Sequence, residues 1–265
     1  MEKHIIYRTS HISYRVEGKG RPVVLLHGFG EDSHIWDAQV SFLEDHCLLI
    51  VPDIPGSGKS EMLVQQNISI SDYADVIKAL LEKENISSCI MLGHSMGGYI
   101  TLAFAEKYPG SLQAFGLVNS TAFADSEEKK KTRLRAIETI GQYGAASFIR
   151  TTMPNLFAEG FRQAHPEKTE ALVEAGKQFT AEALQQYYRA MMNRPNRTHV
   201  LQSNPLPVLF VIGTEDSAAP MNDVVQQTRL PLKSYIHILE NTGHMSMLEA
   251  PDRLNQHLLS FINLE

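Results

Sequence analysis

The sequence predicts an α/β protein with a mostly parallel central sheet, helices on both faces, and a helical block inserted between two late strands. Three observations predict it. Short, continuous apolar runs recur along the chain, helical patterns separate them, and one long stretch has helical periodicity but no good strand. Continuous apolarity marks strands covered on both faces, as in a parallel sheet, and strand–helix alternation marks α/β layering. With 265 residues, 43% hydrophobic and 20% charged, the chain has apolar material for a sizeable core.

The elements follow in order. Ile5 to Arg8 and Ile12 to Val16 read as an edge hairpin. Pro22 to His27 is the first buried strand, ending at Gly28, and Cys47 to Val51 is the second, stopped by Pro52. Ser71 to Glu84 reads as a helix, with Tyr73, Val76, Ile77, Leu80 and Leu81 three and four apart and Asp72 near the positive end of the helix dipole. Ser88 to Gly93 is the third buried strand. A helix from Met96 to Tyr108 follows, stopped by Pro109-Gly110. Gln113 to Val118 is the fourth buried strand, Val208 to Ile212 the fifth and Ser234 to Leu239 the sixth. The last helix runs from Pro251 to Ile262, with proline suited to its first turn.

Residues 121–204 break the rhythm. Ala183, Tyr187 and Met191 recur every four residues, as do Leu184, Tyr188 and Met192. This block carries 12 basic and 9 acidic residues, net +3, against 12 and 21, net −9, for the rest. The expected organisation is a core of 1–120 and 205–265 with a helical insertion at 121–204. Its Glu127 to Arg135 run reads as a solvated helix face.

Composition excludes several classes. A net charge of −6 is not the footprint of a nucleic-acid binder. No apolar run approaches the roughly 18 residues of a membrane span, and the first ten residues have no apolar signal core, so a cytoplasmic protein is expected. Cys47 and Cys89 form no CxxC pattern and read as buried free thiols.

The sharpest motif is Gly93-His94-Ser95-Met96-Gly97, a G-x-S-x-G after one predicted strand and before one predicted helix. That context is a nucleophile elbow: the tight turn presents the serine hydroxyl, and glycines on either side let strand and helix approach. A serine at neutral pH needs a general base oriented by a carboxylate. Asp216, after the fifth buried strand, and His244, after the sixth, supply them at the sheet edge that carries Ser95. Glu215, Asp223 and Asp125 are the competing acids. Asp125 stands out because it follows the fourth strand. His27-Gly28-Phe29-Gly30 ends the first buried strand, and the backbone N–H groups of Phe29 and Met96 are the expected oxyanion donors.

Together these residues resemble the α/β-hydrolase fold, in the capped group containing small esterases, haloperoxidase-like enzymes, epoxide hydrolases and C–C bond hydrolases. The matching pieces are HGFG from His27, DIPGSGKS from Asp53, GHSMGG from Gly93, GTED from Gly213 and NTGHMSMLEAP from Asn241, in the family's order across almost the whole chain. The resemblance implies a Ser95-Asp216-His244 triad, a cap at 121–204, and a tryptophan after the oxyanion loop, here Trp36. Serine at 95 argues against the epoxide-hydrolase and haloalkane-dehalogenase branches, which the resemblance associates with a carboxylate nucleophile.

The expected reaction is hydrolysis of a small, uncharged, largely apolar ester through an acyl-enzyme, with C–C cleavage of a diketone-like substrate or non-catalytic ligand binding as alternatives. No metal or cofactor is expected, and the only partner expected is the small-molecule substrate, with neither nucleic acid nor membrane. Trp36, Phe123, Phe157, Tyr187 and Met191 are the expected pocket residues. Gly58-Lys59-Ser60 resembles the end of a phosphate-binding loop, but Asp53 stands where that motif needs glycine, so the segment is expected to be a turn.

Overall fold

The computed structural model describes residues 1–65 and 67–264, with one eight-stranded sheet. Its strands are β1 (Glu2–Tyr7), β2 (Ser10–Gly18), β3 (Pro22–Leu26), β4 (Leu48–Pro52), β5 (Cys89–His94), β6 (Leu112–Val118), β7 (Val208–Gly213) and β8 (Ser234–Leu239), in the order β1-β2-β4-β3-β5-β6-β7-β8. β1 and β2 form the antiparallel hairpin, with Ile5 opposite Ile12, and β2 is antiparallel to β4. All neighbours from β4 to β8 are parallel.

The central strands explain the continuous apolar runs. Every residue of β5 and β7 is buried, because the sheet is covered on both sides there. β8 departs from that expectation: Ile236 and Ile238 are 45% and 44% exposed. It is the edge strand and is packed on one face only, where Tyr235 meets Phe261 edge-on and His237 stacks on His257.

The first three helices are α1 (Asp37–Leu43), α2 (Ile70–Lys83) and α3 (Met96–Lys107). α2 starts with a capping box: Ser69 accepts from the Asp72 N–H, and the Asp72 carboxylate accepts from the Ser69 N–H. After β3 the chain moves outward through α1 to β4, then returns through α2 to β5 on the other side of β3. Right-handed crossovers in opposite directions place α1 and α2 on opposite faces. The order therefore reverses between β3 and β5, and the crevice beyond their C-terminal ends is where ligands bind in open α/β sheets.

Between β6 and β7 lie α4 (Glu127–Tyr143), α5 (Ala145–Thr152), α6 (Glu159–Ala164), α7 (Pro166–Gly176), α8 (Ala181–Met192) and α9 (Thr198–Ser203), with no strand. The chain ends with α10 (Met221–Val225), α11 (Ser246–Glu249) and α12 (Pro251–Ile262). Among the described residues, no helix is long and apolar enough to cross a membrane.

Candidate active site

Ser95 occupies the one-residue turn between β5 and α3, at φ 50° and ψ −114°. Such backbone costs about 1–3 kcal/mol and persists only where its surroundings enforce it. Here the Ser95 N–H donates to the Val118 carbonyl at 3.0 Å, and its own carbonyl accepts from the Ser120 hydroxyl at 2.7 Å. The flanking glycines are required by contact. A Cβ on Gly93 would lie 2.2 Å from the Gly97 carbonyl oxygen, and one on Gly97 would lie 2.4 Å from that of Leu26. The close approach of strand and helix thus aims the Ser95 hydroxyl into a cavity of 150 Å³, whose wall includes His244.

His244, in the loop between β8 and α11, is held from several sides. Its Nδ1 lies 2.9 Å from Asp216 Oδ2 and 3.0 Å from Oδ1. An ionised carboxylate only accepts, so this contact puts the ring proton on Nδ1 and leaves Nε2 as a base. The His244 N–H donates to the Leu156 carbonyl at 2.7 Å. The Glu249 carboxylate receives the N–H groups of Gly243, Met245 and Ala158, tying this loop to the helical insertion.

Asp216 is buried and saturated. Its Oδ1 accepts the N–H groups of Ala218 and Ala219 at 2.8 Å, and its Oδ2 accepts from Asn119 Nδ2 at 3.0 Å. Burial pushes its carboxyl up, but His244, the Ala219 N–H and Asn119 together hold it below the usual carboxylate range. The competing acids are elsewhere. Glu215 and Asp223 are exposed. Asp125 is bound by Arg133 and Arg194.

Three partners of this site carry no signal in the local motifs. Asn119, at φ 48° just past β6, also donates to the Gly243 carbonyl and accepts from the Ser246 hydroxyl. It thereby joins the Asp216 and His244 loops. Glu31 and His94 form a fully buried pair, with Glu31 Oε2 3.0 Å from His94 Nδ1. Burial opposes both charges, but each stabilises the other: the Glu31 carboxyl sits below its usual range and the His94 imidazole above its own. Glu31 also accepts the Gly28 N–H, and His94 Nε2 lies 2.9 Å from the His244 carbonyl. This buried ion pair therefore connects the loop after β3 with the His244 loop. The only sequence clue is that His94 adjoins Ser95.

The loop after β3 is shaped by His27, whose Nε2 accepts the Ile54 N–H and whose Nδ1 lies 2.8 Å from the Gly28 carbonyl. Among the described residues, the N–H groups of Phe29 and Met96 have no acceptor and are free for a ligand. The Ser95 hydroxyl likewise has no protein partner there. Such bonds are often long without substrate and tighten when it binds. In the 53–60 segment, the Asp53 carboxylate accepts the Ser33 and Lys59 N–H groups and fills the turn a phosphate would need.

The cavity wall differs from the expected one. Met191 lines it, joined by Phe29, Tyr188 and Leu156, with the Phe29 and Tyr188 rings stacked at 4.3 Å. Trp36 and Tyr187 are wholly buried in the packed interior, and the Tyr187 hydroxyl donates to the Ile54 and Pro55 carbonyls. Phe157 is buried against Phe161. Phe123 lines a neighbouring cavity of 330 Å³. Large aromatic side chains fill cores as readily as pockets, so Trp36, Tyr187 and Phe157 lie in the packed interior and not among the residues lining this cavity. The wall is also not purely apolar. Lys129 and Arg133, from the run read as a solvated face, line the cavity of Ser95 and His244 because they lie four residues apart on one side of α4.

Comparison with known proteins agrees with this fold. Residues 21–251 match the alpha/beta hydrolase fold family. The chain is 27% identical over 247 residues to the dihydrolipoyllysine-residue acetyltransferase component of an acetoin cleaving system from Pseudomonas putida, covering 92% of this chain but 64% of that protein. It is 25% identical to a putative carbamate hydrolase, RutD, from Pantoea ananatis, covering 94% and 92% of the two chains. In structure it resembles a thermophilic esterase from Thermogutta terrifontis, with a TM-score of 0.92, 27% identity and coverage of 98% and 97%.

Proposed function

The chain belongs to the alpha/beta hydrolase fold family, and from that premise we propose that it is a cytoplasmic serine hydrolase that cleaves small esters through an acyl-enzyme. The observation that carries this reading is that Ser95, in its strained turn, shares a cavity with a histidine whose Nδ1 is held by a buried carboxylate.

In the proposed reaction, His244 Nε2 takes the Ser95 proton as Oγ attacks the ester carbonyl. The N–H groups of Phe29 and Met96 receive the oxyanion, and Met96 also brings the positive end of α3 to the reacting atoms. His244 returns the proton to the departing alcohol, then deprotonates water to release the acid. Asp216 keeps the imidazole oriented and stabilises its cation. The insertion at 121–204 acts as a cap whose Tyr188, Met191 and Leu156 form the acyl wall. Two buried thiols, pushed up to about 11 and about 12 by burial, suit a reducing compartment.

The test is labelling with a fluorophosphonate, together with turnover on a panel of short esters beside a diketone panel. Ser95→Ala should abolish labelling and lower kcat by on the order of 10⁶. Unchanged turnover in that variant would overturn the assignment, and diketone cleavage without ester cleavage would move the enzyme to C–C hydrolysis.

A further inference from the structure

We propose that Lys129, Arg133 and Tyr99 form a carboxylate subsite in the catalytic cavity, and that the substrate is a short ester bearing a carboxylate a few carbons from the scissile bond. This deepens the hydrolase reading and rests on it for the bond that is cut. The subsite itself rests on unused donors and unbalanced charge.

Lys129 Nζ donates to one acceptor, the Ala218 carbonyl at 2.8 Å, which leaves two of its three N–H donors. Arg133 gives Nε and Nη2 to Asp125, which leaves Nη1. The Tyr99 hydroxyl has no acceptor among the described residues. All three side chains line the cavity that holds Ser95 and His244.

The charges do not cancel. Lys129, Arg133 and Arg194 meet two carboxylates, Asp125, which pairs with both arginines, and the exposed Asp223, which forms no ion pair among the described residues, a surplus of one positive charge. Glu31, the other carboxylate on the wall, is taken by His94. Arg194 lies 3.8 Å from the Tyr99 ring centre. Burial pushes the Tyr99 hydroxyl up, yet Arg194, Lys129 and Arg133 bring it below its usual value, as a surplus positive potential requires. In a small cavity, free donors and surplus cations favour an anion. At 150 Å³, the cavity suits a short chain ending in a carboxylate.

The experiment compares esters matched in shape. Monomethyl glutarate is set against methyl pentanoate, placing the carboxylate on the acyl side. The acetyl ester of 3-hydroxypropanoate is set against propyl acetate, placing it on the alcohol side. In at least one pair the charged ester should have a kcat/KM at least about tenfold higher, the lower end for a charge-assisted hydrogen bond. The gain should appear mainly in KM. Lys129→Met should bring the preference close to one, and Lys129→Arg, which keeps the charge, should retain it. Lys130→Met, whose ammonium pairs with Glu127 on the outer face, should leave it unchanged. Glutarate should raise the Tm of the wild type but not of Lys129→Met. Ser95-dependent turnover with no preference in either pair would overturn the subsite and leave the hydrolase reading intact. If no ester is turned over, the hydrolase reading fails and the glutarate shift alone decides, its absence overturning the subsite.

Discussion

At the strand ends, Asp216 has both oxygens occupied, Glu31 is paired, and Asn119 uses both ends of its amide. Across the same cavity, among the described residues, Lys129 keeps two of its three N–H groups free. The helices that carry the two sides differ in the same sense. α3, behind Ser95, is buried from Met96 to Ala105, whereas α4, behind Lys129 and Arg133, buries only Ile140. A helix buried that fully cannot change its facing residues without repacking the core. One held on a single edge can. On the proposed function, the difference separates chemistry from recognition: the strand side fixes the reacting groups by saturating them, and the helical side leaves donors for a ligand to complete.

Substitutions can break or sharpen that contrast. The largest expected effect in the saturated half after the nucleophile itself is at Asp216. Asp216→Asn should fold but lower kcat by up to about 10⁴, because an amide can present N–H to Nδ1 and favour the wrong histidine tautomer. If Glu215→Gln were the crippling change and Asp216→Asn mild, the triad acid would be misassigned.

Glu31 acts through His94 and so tests whether saturation beyond the reacting groups matters. Glu31→Gln should lower kcat about ten- to a hundredfold with little change in KM, by loosening the support of the His244 carbonyl. Stability adds a second readout. The lowered Glu31 carboxyl contributes stability above the usual carboxylate value, lost as pH falls through its folded value. The raised His94 contributes fully below the usual histidine value, lost as pH rises through its folded value. The Tm difference between wild type and Glu31→Gln should therefore be widest near about pH 5.5, between the ordinary glutamate and histidine values, and narrow on both sides. A difference independent of pH would mean that the pair is not ionic.

The smallest effect belongs to the helical half. Tyr188→Ala removes the ring stacked on Phe29 and widens the cavity. It should shift preference toward longer acyl chains while changing kcat/KM on the shortest ester by less than about tenfold, the scale of one methylene in a pocket. Equal loss on every chain length would make Tyr188 a structural support of the Phe29 loop and erase the contrast between the halves.

Much of the strand side was readable before any coordinates. The apolar runs located the eight strands to within a few residues, since a strand's burial is written in its own side chains. The elbow was readable because close strand–helix contact demands glycine at fixed offsets from Ser95, and Asp216 and His244 because each follows a strand at the same sheet edge. The Glu31–His94 pair, 63 residues apart, and Asn119, 97 residues from Asp216, were not readable, because nothing local at any of these positions signals its partner.

Sequence alone thus determined the order of the elements and the turns that carry Ser95, Asp216 and His244, because both depend on patterns within a few residues. Tertiary structure decided which way the insertion turned its faces. The Glu127 to Arg135 run has charge all round, so its periodicity names no inner side. Only tertiary packing, of α4 on α5 and α8, set Lys129 and Arg133 toward Ser95, and only tertiary packing sent Trp36, Phe157 and Tyr187 into the interior. The rotation of a helix about its own axis depends on what lies beneath it, and beneath α4 lie α5 and α8 of the same insertion.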